Sequence, residues 1–325
     1  MRAGQIPGLQ FAVVREARLQ VLGHFGQADI ENPSPVTATT LFQIASLTKA
    51  FVAVAVIQLA DDGALALTDA VARHLPDLPA AWRTVTVGQL ASHTSGLPDI
   101  VADLNRLRLV VDGDEEASWA KVQTMPPQSA PGERFSYNQT NYVLLGKLIE
   151  RLRGESLAGV LRRRQFDVAG MPRTVFGDDR DVVPRSARTY TPYVFVDGAP
   201  RRTGTLYKVH TEFPPLLRGC GGLNSTAEEI ARWLIALQRG ALIRRANLPA
   251  LETPGRLNDG SPAPWAFGVG IADRREHPVF YGVGAGKAAF GVYPRDGLAV
   301  VVLTNLSADM GVPFLDGVAA QYFAP

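Results

Sequence analysis

Apolar, strand-like segments lie near both ends of this chain, and helical patterns lie between them. Near the N-terminus, residues 9–26 contain two runs joined at Glu16 and Ala17, LQFAVVREARLQVLGHFG. Near the C-terminus, four runs separated by glycine, proline and charged turns follow one another: WAFGVGIA, HPVFYGVG, AAFGVYP and LAVVVLTN. Strands at both ends with helices between them predict one sheet built from both termini, with a helical lobe inserted within it.

Helical patterns fill the middle of the chain. An apolar run predicts a helix from Ser46 to Asp62, with Gly63 where a left-handed cap is expected. Apolar residues on one stripe predict another helix from about Asn141 to Arg153. Two capping boxes mark further helix starts, and their pairs are Thr86 with Gln89 and Thr226 with Glu229.

We predict a single domain, residues 1–325, made of two lobes. Residues 1–45 and about 260–325 are expected to form an α/β lobe, and residues from about 46 to 259 a mainly helical lobe. The irregular stretch from Leu97 to Glu133 is long for a connection. Its acidic part, Val101 to Gln128, is therefore expected to shape the mouth of a cleft.

Composition excludes several classes of function. Lysine and arginine total 33 against 31 acidic residues, a net charge of +2, so no nucleic-acid partner is expected. The longest apolar run, AFVAVAVIQLA, has 11 residues and is too short to span a bilayer. One cysteine, Cys220, excludes an internal disulfide and fits a reducing compartment. No signal-peptide core is visible at the start, so we expect a cytoplasmic protein, or a periplasmic one if a leader was removed.

The segment FQIASLTKAF places Ser46 and Lys49 three positions apart where an apolar helix begins. A Ser-x-x-Lys match is weak alone, since chance supplies roughly one in a chain this long, and a second copy, Ser118 to Lys121, lies in a polar segment. At a helix start, however, oriented amides favour negative charge developing on an attacked carbonyl. Two interpretations remain at this point: a capped core helix, or a nucleophile with its proton acceptor.

A tyrosine in the segment PGERFSYNQTNYVLLG offers a second candidate group. Tyr137 lies just before a predicted helix, where a phenol at a lobe junction is able to share a proton with a nearby lysine and serine. A phenol has a pKa of about 10, so it is a poor base until cations stabilise the phenolate. The alternative is an aromatic side chain packed under the loop.

Seven segments in this order resemble the serine beta-lactamase-related family, which includes class C beta-lactamases, low-molecular-weight penicillin-binding proteins, D-amino-acid peptidases and family VIII carboxylesterases. These segments are IPGLQFAVV, TLFQIASLTKAF, QLADDGALALTDAVARHLPDL, TVGQLASHTSGLPDI, PGERFSYNQTNYVLLG, GCGGLNSTAEEIARWL and LAVVVLTN. The resemblance implies an α+β, beta-lactamase/transpeptidase-like fold, an antiparallel sheet flanked by helices beside an all-helical lobe, with the site in the cleft between them. In that family Ser46 matches the acylated serine, Lys49 its partner and Tyr137 the tyrosine of the second motif. The resemblance implies no metal or organic cofactor.

The second and third motifs of the family are altered in this chain. The family pattern Tyr-x-Asn reads Tyr-Asn-Gln here, so either Gln139 or Asn138 is expected to offer the substrate-binding amide. The third motif normally begins with lysine or histidine, and the best register places Gly282, Val283 and Gly284 there. In that register, the amides of Ser46 and Ala285 would form the oxyanion hole.

The missing cation decides which substrate class we predict. Penicillins and peptidoglycan stems carry a carboxylate that the third motif normally binds through a charge-assisted hydrogen bond, worth about 1.5 to 3 kcal/mol. His277 and Lys287 are the two residues nearby that would supply such a group, but neither has the expected glycine neighbours. We therefore predict a serine hydrolase that acts through an acyl-enzyme on small or medium carboxylic esters, with weak or no beta-lactamase activity.

Three alternatives share these residues: a beta-lactamase or D-amino-acid peptidase, an acyltransferase that differs only in its acceptor, and a non-catalytic binding protein on the same fold. In each case the partner is a small acyl molecule, and no oligomeric state is predicted. His93, in the quartet HTSG, is expected to form a structural turn near the site, and Cys220 to be a small buried residue. The five histidines show no metal-ligand spacing, so no metal is expected.

Overall fold

The computed structural model describes residues 4–104, 107–196, 199–272, 276–308 and 312–323. Its largest sheet has seven antiparallel strands in the order β11-β12-β13-β14-β1-β2-β3. The strands are β1 (Gly8–Arg15), β2 (Arg18–Asp29), β3 (Ser34–Pro35), β4 (Phe42–Gln43), β5 (Val101–Asp103), β6 (Arg108–Leu109), β7 (Val175–Phe176), β8 (Tyr190–Val196), β9 (Ala199–Lys208), β10 (Leu223–Ser225), β11 (Gly270–Ala272), β12 (Val279–Gly284), β13 (Ala288–Tyr293) and β14 (Leu298–Thr304).

The sheet joins the two ends of the chain, as the sequence predicts. Strand β1 lies antiparallel to β14, with Val13 opposite Val300. Glu16 and Ala17 turn the chain between β1 and β2, both with positive φ. Side chains alternate between the two faces, so that Val13 packs in one buried cluster and Val14 in the other. A helix at the C-terminal end, α10 (Val312–Ala319), covers the cluster that contains Val13, and the helical lobe covers the cluster that contains Val14.

Ten α-helices lie in the described ranges: α1 (Thr48–Asp61), α2 (Val87–Ala91), α3 (Glu115–Thr124), α4 (Gln139–Arg153), α5 (Leu157–Leu161), α6 (Asp167–Ala169), α7 (Arg218–Gly221), α8 (Ala227–Gln238), α9 (Pro249–Glu252) and α10 (Val312–Ala319). In α1 every residue from Thr48 to Leu59 is buried. A helix that is apolar on all sides must lie inside the protein. Of the helices in the described ranges, none has the length and apolar character that crossing a bilayer requires.

The first helix begins two residues later than the sequence indicates. A single 3₁₀ turn, Ala45–Leu47, carries Ser46 and leads directly into α1. At the other end, Gly63 adopts the expected left-handed conformation, with φ of 72°. Helix α4 begins at Gln139, ahead of the predicted Asn141, and Gly154 ends it with φ of 69°. Ser46 therefore lies on a tight turn in front of a buried helix.

One predicted capping box is complete and the other is only half formed. Thr86 accepts a hydrogen bond from the Gln89 amide at 3.1 Å, and Gln89 accepts one from the Thr86 amide at 2.9 Å. At α8, Thr226 accepts from the Glu229 amide, but the Glu229 carboxylate does not return to Thr226. Glu229 accepts instead from the amides of Arg173 and Thr174, because these amides reach the buried carboxylate from another segment. The predicted capping box at α8 is therefore wrong in one respect, because the Glu229 side chain does not accept a hydrogen bond from the Thr226 amide.

The inserted lobe contains strands as well as helices. Strands β8 and β9 pair as a hairpin, and β10 and β7 form a small three-stranded sheet with β4, which lies just before this lobe in the chain. The stretch predicted to be irregular contains helix α3 and the short pair β5 and β6. The second Ser-x-x-Lys copy lies in α3, where buried Ser118 donates to the Val111 carbonyl at 2.8 Å. We propose the same division into lobes as the sequence predicts, since the large sheet takes all its strands from residues 8–35 and 270–304.

A test of the fold concerns Gln10, a buried side chain of β1 that is 2% exposed. Its Nε2 donates to the carbonyls of Thr37 and Thr40, and its Oε1 accepts from the Ala227 amide at the start of α8. Gln10→Met fills a similar volume but removes the partners of the Thr40 carbonyl and the Ala227 amide, which both lie at buried residues. We expect the free energy of unfolding to fall by about 2 to 4 kcal/mol, measured by urea denaturation.

The matched control is Gln20→Met on the neighbouring strand β2, where Gln20 is exposed. Its effect should stay within about 0.5 kcal/mol. Equal effects of the two substitutions would show that the three hydrogen bonds of Gln10 add nothing to stability.

Candidate active site

Ser46 and Lys49 lie side by side where the 3₁₀ turn meets α1. The turn begins with Ala45 in a left-handed conformation, φ of 45°, which an alanine adopts only when its surroundings impose it. Lys49 Nζ lies 3.2 Å from Ser46 Oγ and donates to the Cys220 carbonyl at 2.7 Å. The Lys49 side chain has no exposed surface. The lysine is therefore buried and not on the surface, and its amine is held against the serine hydroxyl.

Aromatic rings enclose the lysine amine. Lys49 Nζ lies 4.9 Å from the ring centroid of Tyr137 and 5.4 Å from that of Tyr142. Tyr142 is buried, its hydroxyl donates to the Ala91 carbonyl, and burial raises its pKa well above the usual value. No hydrogen bond among the described residues joins the Tyr137 hydroxyl to Ser46 or Lys49. Tyr137 is thus next to the pair, with its ring face toward the amine.

His93 holds the segment that carries Tyr137. The His93 carbonyl accepts from the Ser136 amide at 2.8 Å, and its Nδ1 accepts from the Asn138 amide at 3.1 Å. Its ring lies 4.4 Å from the Tyr137 ring, measured between centroids. Burial, and secondly the charge of Lys49, lowers the pKa of His93 well below its usual value. His93, predicted to form a structural turn, therefore also holds the backbone on both sides of Tyr137, and we call these two hydrogen bonds the clamp on Tyr137. The only sign of this role in the sequence is the quartet HTSG.

Asn138 and Gln139 follow Tyr137 directly, where α4 begins. Both side chains are 2% exposed. Asn138 Nδ2 donates to the Leu97 carbonyl at 2.6 Å, which leaves its Oδ1 buried without a partner among the described residues. Gln139 Nε2 is likewise buried without one. Unsatisfied buried polar atoms are rare, and here they lie beside Tyr137. Among the described residues the pair therefore has one unsatisfied acceptor and one unsatisfied donor, and which amide meets a substrate stays a prediction.

The end of β12 approaches the serine turn at backbone distance. A Cβ on Gly284 would lie 1.9 Å from the Ile44 carbonyl oxygen and 3.2 Å from the Leu47 amide nitrogen, so only glycine fits. The next residue, Ala285, is exposed and left-handed, with φ of 46°. The structure thus places both predicted residues, Gly284 and Ala285, next to the turn that carries Ser46.

No cation occupies the first position of the third motif. A Cβ on Gly282 would lie 2.6 Å from the buried Phe290 ring, which covers the place where a side chain would begin. Lys287 turns into the protein, is 3% exposed, and donates to Gln43 Oε1 at 2.8 Å and Thr189 Oγ1 at 3.2 Å. His277 pairs with Asp296 at 2.9 Å. Neither residue takes the place of the missing cation.

Cys220 contributes its backbone rather than its thiol. It is 2% exposed, and burial raises the pKa of the thiol to about 12. A thiol with that pKa stays protonated at neutral pH and is a poor nucleophile. The predicted small buried residue is present, but sequence alone did not indicate that its carbonyl would hold the Lys49 amine. Backbone carbonyls leave no residue-type signal.

A family model of the beta-lactamases matches residues 1–321. The chain belongs to the beta-lactamase family. Among its curated relatives, penicillin-binding protein 4* of Bacillus subtilis strain 168 is 30% identical over 263 residues, which cover 75% of this chain and 55% of that protein. This family member therefore spans about half the length of that curated relative.

Solved structures of the same family share the fold. An octameric penicillin-binding protein homologue from Pyrococcus abyssi has a TM-score of 0.79 and 25% identity, and the match covers 99% of this chain and 74% of that one. A D-amino acid amidase from Ochrobactrum anthropi SV3 has a TM-score of 0.78 and 25% identity, covering 98% and 93%. The beta-lactamase/transpeptidase-like fold predicted from the sequence is confirmed.

A pH-dependent test concerns Lys287. Burial lowers its pKa to about 8, against the opposing charge of Asp179. Between about pH 8 and the ordinary lysine value of about 10.4, the unfolded chain keeps a proton that the folded chain has released, so stability rises with pH. We expect the unfolding free energy of wild type relative to Lys287→Met to rise by roughly 2 to 3 kcal/mol across this window, measured by chemical denaturation.

A second variant tests the cause of this shift. Asp179 accepts from Gln43 Nε2 at 2.8 Å, and Gln43 accepts from Lys287. In Asp179→Asn the charge that supports the ammonium is gone, so the rise should begin at a lower pH. A difference between wild type and Lys287→Met that stays constant with pH contradicts the assignment.

Proposed function

We propose that this protein is a serine hydrolase that acts through an acyl-enzyme on carboxylic esters or related acyl substrates. The observation that carries the proposal is the 3.2 Å contact between Ser46 Oγ and the fully buried Lys49 amine. Membership of the beta-lactamase family supports it, since a D-amino acid amidase is among the similar structures. The hydrolase class follows from the family, and the ester preference is our inference from the site.

In the proposed reaction, Ser46 Oγ attacks the acyl carbonyl carbon. The hydroxyl proton of Ser46 passes to Lys49 and Tyr137, which relay it. The carbonyl oxygen becomes an oxyanion, which the backbone amides of Ser46 and Ala285 stabilise. When the oxyanion collapses, the bond to the alcohol oxygen breaks and the alkoxide takes up the proton. A water molecule then attacks the acyl carbon on Ser46 and gives one proton to the same groups. The bond between Oγ and the acyl carbon breaks, Oγ takes up that proton, and the carboxylic acid leaves.

Tyr137 is assigned the role of proton relay because of its surroundings. Its ring lies against the Lys49 amine, and His93 fixes the backbone on both sides of it. His93 stays neutral, so it adds no positive charge next to Lys49. Catalytic hydrogen bonds often tighten only when substrate binds, so the unbonded Tyr137 hydroxyl is compatible with a relay.

The preference for esters over beta-lactams rests on the third motif. A substrate carboxylate would find Gly282 covered by Phe290, and Lys287 bound to Gln43 and Thr189. The charge-assisted hydrogen bond that the family motif offers is therefore absent, which should weaken beta-lactam binding by about tenfold or more. A simple ester carries no carboxylate, so its binding does not depend on that hydrogen bond.

The first test compares wild type with Ser46→Ala in hydrolysis of p-nitrophenyl butyrate. Removal of the nucleophile should lower kcat/KM by about a thousandfold or more. Mass spectrometry should show a butyryl adduct on Ser46 in the wild type alone. A chromogenic cephalosporin serves as the comparison substrate and should be hydrolysed far more slowly than the ester.

Each alternative function predicts a different outcome. Equal activity of wild type and Ser46→Ala contradicts the nucleophile. A ligand that binds without ever acylating Ser46 favours a binding protein. Rapid cephalosporin hydrolysis contradicts the ester preference, and products formed with added alcohols or amines would identify a transferase.

A double-variant cycle tests the clamp on Tyr137. His93→Asn removes the ring while asparagine still tolerates the left-handed backbone at this position, φ of 57°. We expect kcat to fall about tenfold or more with little change in KM, since a misplaced relay affects the chemical step. In a Tyr137→Phe background the same change should have almost no further effect. Equal losses in both backgrounds would contradict action through Tyr137.

A further inference from the structure

A hairpin of the inserted lobe is almost uncovered. Strands β8 and β9 form this hairpin, which we call the arm, and from residue 193 to residue 208 its described residues pair with no other strand. None of these described residues is buried, and the exposed fractions are 50% for Phe195, 45% for Val196 and 42% for Tyr207. A two-stranded hairpin that packs on nothing is marginally stable at best in water. The arm therefore presents an interaction surface.

The base of the arm is fixed to the body of the protein. The Tyr190 amide donates to the Asn305 carbonyl at 2.8 Å, and the Tyr190 carbonyl accepts from the Ser307 amide at 2.7 Å. The Tyr190 side chain is 2% exposed, and its hydroxyl donates to Asp29 Oδ1 at 3.1 Å. The arm is therefore anchored at one end and uncovered at the other.

The far end of the arm is apolar on both faces. Beside the turn, Val196 lies opposite Ala199 and Phe195 lies opposite Pro200. All four residues are exposed. Neighbouring residues of a strand point to opposite faces, so Phe195 and Val196 place apolar surface on both sides of the hairpin. We call these four residues the apolar end.

Two arginines lie directly behind the apolar end, and we call them the collar. Arg201 lies opposite Val194, and Arg202 lies opposite Tyr193. Both arginines are exposed, and neither forms an ion pair with a described residue. At about 3.3 Å per residue, the collar lies roughly 7 to 10 Å behind the outermost described pair. Asp197, which lies outside the described residues, is the one acid between residues 191 and 207, so two arginines and one acid give this segment a net charge of +1.

We propose that the arm binds the surface of an anionic lipid bilayer. The apolar end enters the boundary between headgroups and acyl chains, about 5 to 10 Å deep, while the guanidinium groups of the collar pair with lipid phosphates. Tyr193, at the level of the collar, is a residue type that suits this interface because its ring is apolar and its hydroxyl is polar. The inference does not depend on the acyl-enzyme function proposed above.

A bilayer suits this arm better than a groove in a partner protein. Lipid surrounds an inserted hairpin and covers both of its faces at once, and the charge of the collar complements anionic headgroups. The outer edges of a two-stranded hairpin carry unpaired backbone groups, which do not enter the hydrocarbon. The arm is therefore confined to the hydrated headgroup region and does not cross the bilayer.

Vesicle sedimentation tests the collar. Wild type should partition about tenfold or more strongly onto vesicles of phosphatidylglycerol and phosphatidylcholine than onto phosphatidylcholine alone, because the anionic surface attracts the two arginines. Arg201→Gln/Arg202→Gln should remove this preference, and added salt should weaken it in wild type. Phe195→Ser/Val196→Ser should lower partitioning onto the anionic vesicles about tenfold or more, since it removes the apolar surface that the lipid covers.

The matched control is Arg244→Gln/Arg245→Gln, which removes two adjacent, exposed arginines from another part of the surface. This variant has the same change in net charge and should keep the wild-type preference for anionic vesicles. All the substituted residues are exposed, so the midpoint of thermal unfolding should stay close to that of wild type. Equal partitioning of wild type and Arg201→Gln/Arg202→Gln onto the anionic vesicles overturns the proposal.

A dye on a single cysteine tests whether the apolar end enters the lipid. Cys220 is the one cysteine of the chain and is 2% exposed, so Val196→Cys adds an accessible thiol that reacts selectively with a polarity-sensitive nitrobenzoxadiazole dye. The emission of the dye should rise and shift to shorter wavelengths when anionic vesicles are added. The same dye on Ala246→Cys, an exposed position beside the control arginines, should not respond.

Three results of the dye experiment would overturn the proposal. If the protein sediments with vesicles but the dye on Val196→Cys does not respond, another surface binds the lipid. If inorganic phosphate without vesicles gives the full response, the arm binds a free anion. If the response follows protein concentration and vesicles add nothing, the arm contacts a second copy of the chain.

Discussion

The contact between Gly284 and the Ile44 carbonyl is the constraint on which the site depends. Any side chain at Gly284 would overlap that oxygen, so the last residue of β12 lies directly against the backbone that leads to Ser46. The sheet and the helical lobe meet here through backbone atoms, without intervening side chains. This close approach brings Ala285 beside the serine turn, and strain at Ala45 and Ala285, both left-handed, is retained on either side of it. The position of the serine turn therefore depends on a contact that only glycine allows.

Around Lys49 the titratable neighbours are kept in their neutral forms. Burial lowers the pKa of His93 and raises that of Cys220 to about 12 and that of Tyr142 well above its usual value. None of these three groups exchanges protons readily at neutral pH, so they do not compete with Ser46, Lys49 and Tyr137. Asp99 is the exception, because burial raises its pKa but backbone amides still support the carboxylate. Among the described residues Asp99 forms no ion pair with Lys49, whose charge lowers the pKa of Asp99 less than burial raises it.

Sequence patterns predicted the sheet, the main helices and the residues at the start of α1, because strand and helix periodicity report local burial. They did not predict the contacts that depend on backbone groups from distant segments. The Cys220 carbonyl at Lys49 and the amides of Arg173 and Thr174 at Glu229 are examples, since any residue type supplies them. Ser46 and Lys49 stood out only with the other motifs in order, because chance alone supplies a Ser-x-x-Lys pair and a second one lies in α3. Their catalytic roles stay predictions.

Two packing features keep a cation out of the third motif. Phe290 fills the space over Gly282 and packs near Trp233, with ring centroids 6.2 Å apart. The short turn after Gly284 directs Lys287 into the sheet, where it reaches Gln43, three residues before Ser46. The Lys287 amine therefore binds the strand that leads to the serine turn and is not free to bind a substrate carboxylate. A cation at Gly282 would require both the Phe290 ring and its packing against Trp233 to move, so the packing of β13, and not the identity of one residue alone, excludes a side chain from this position.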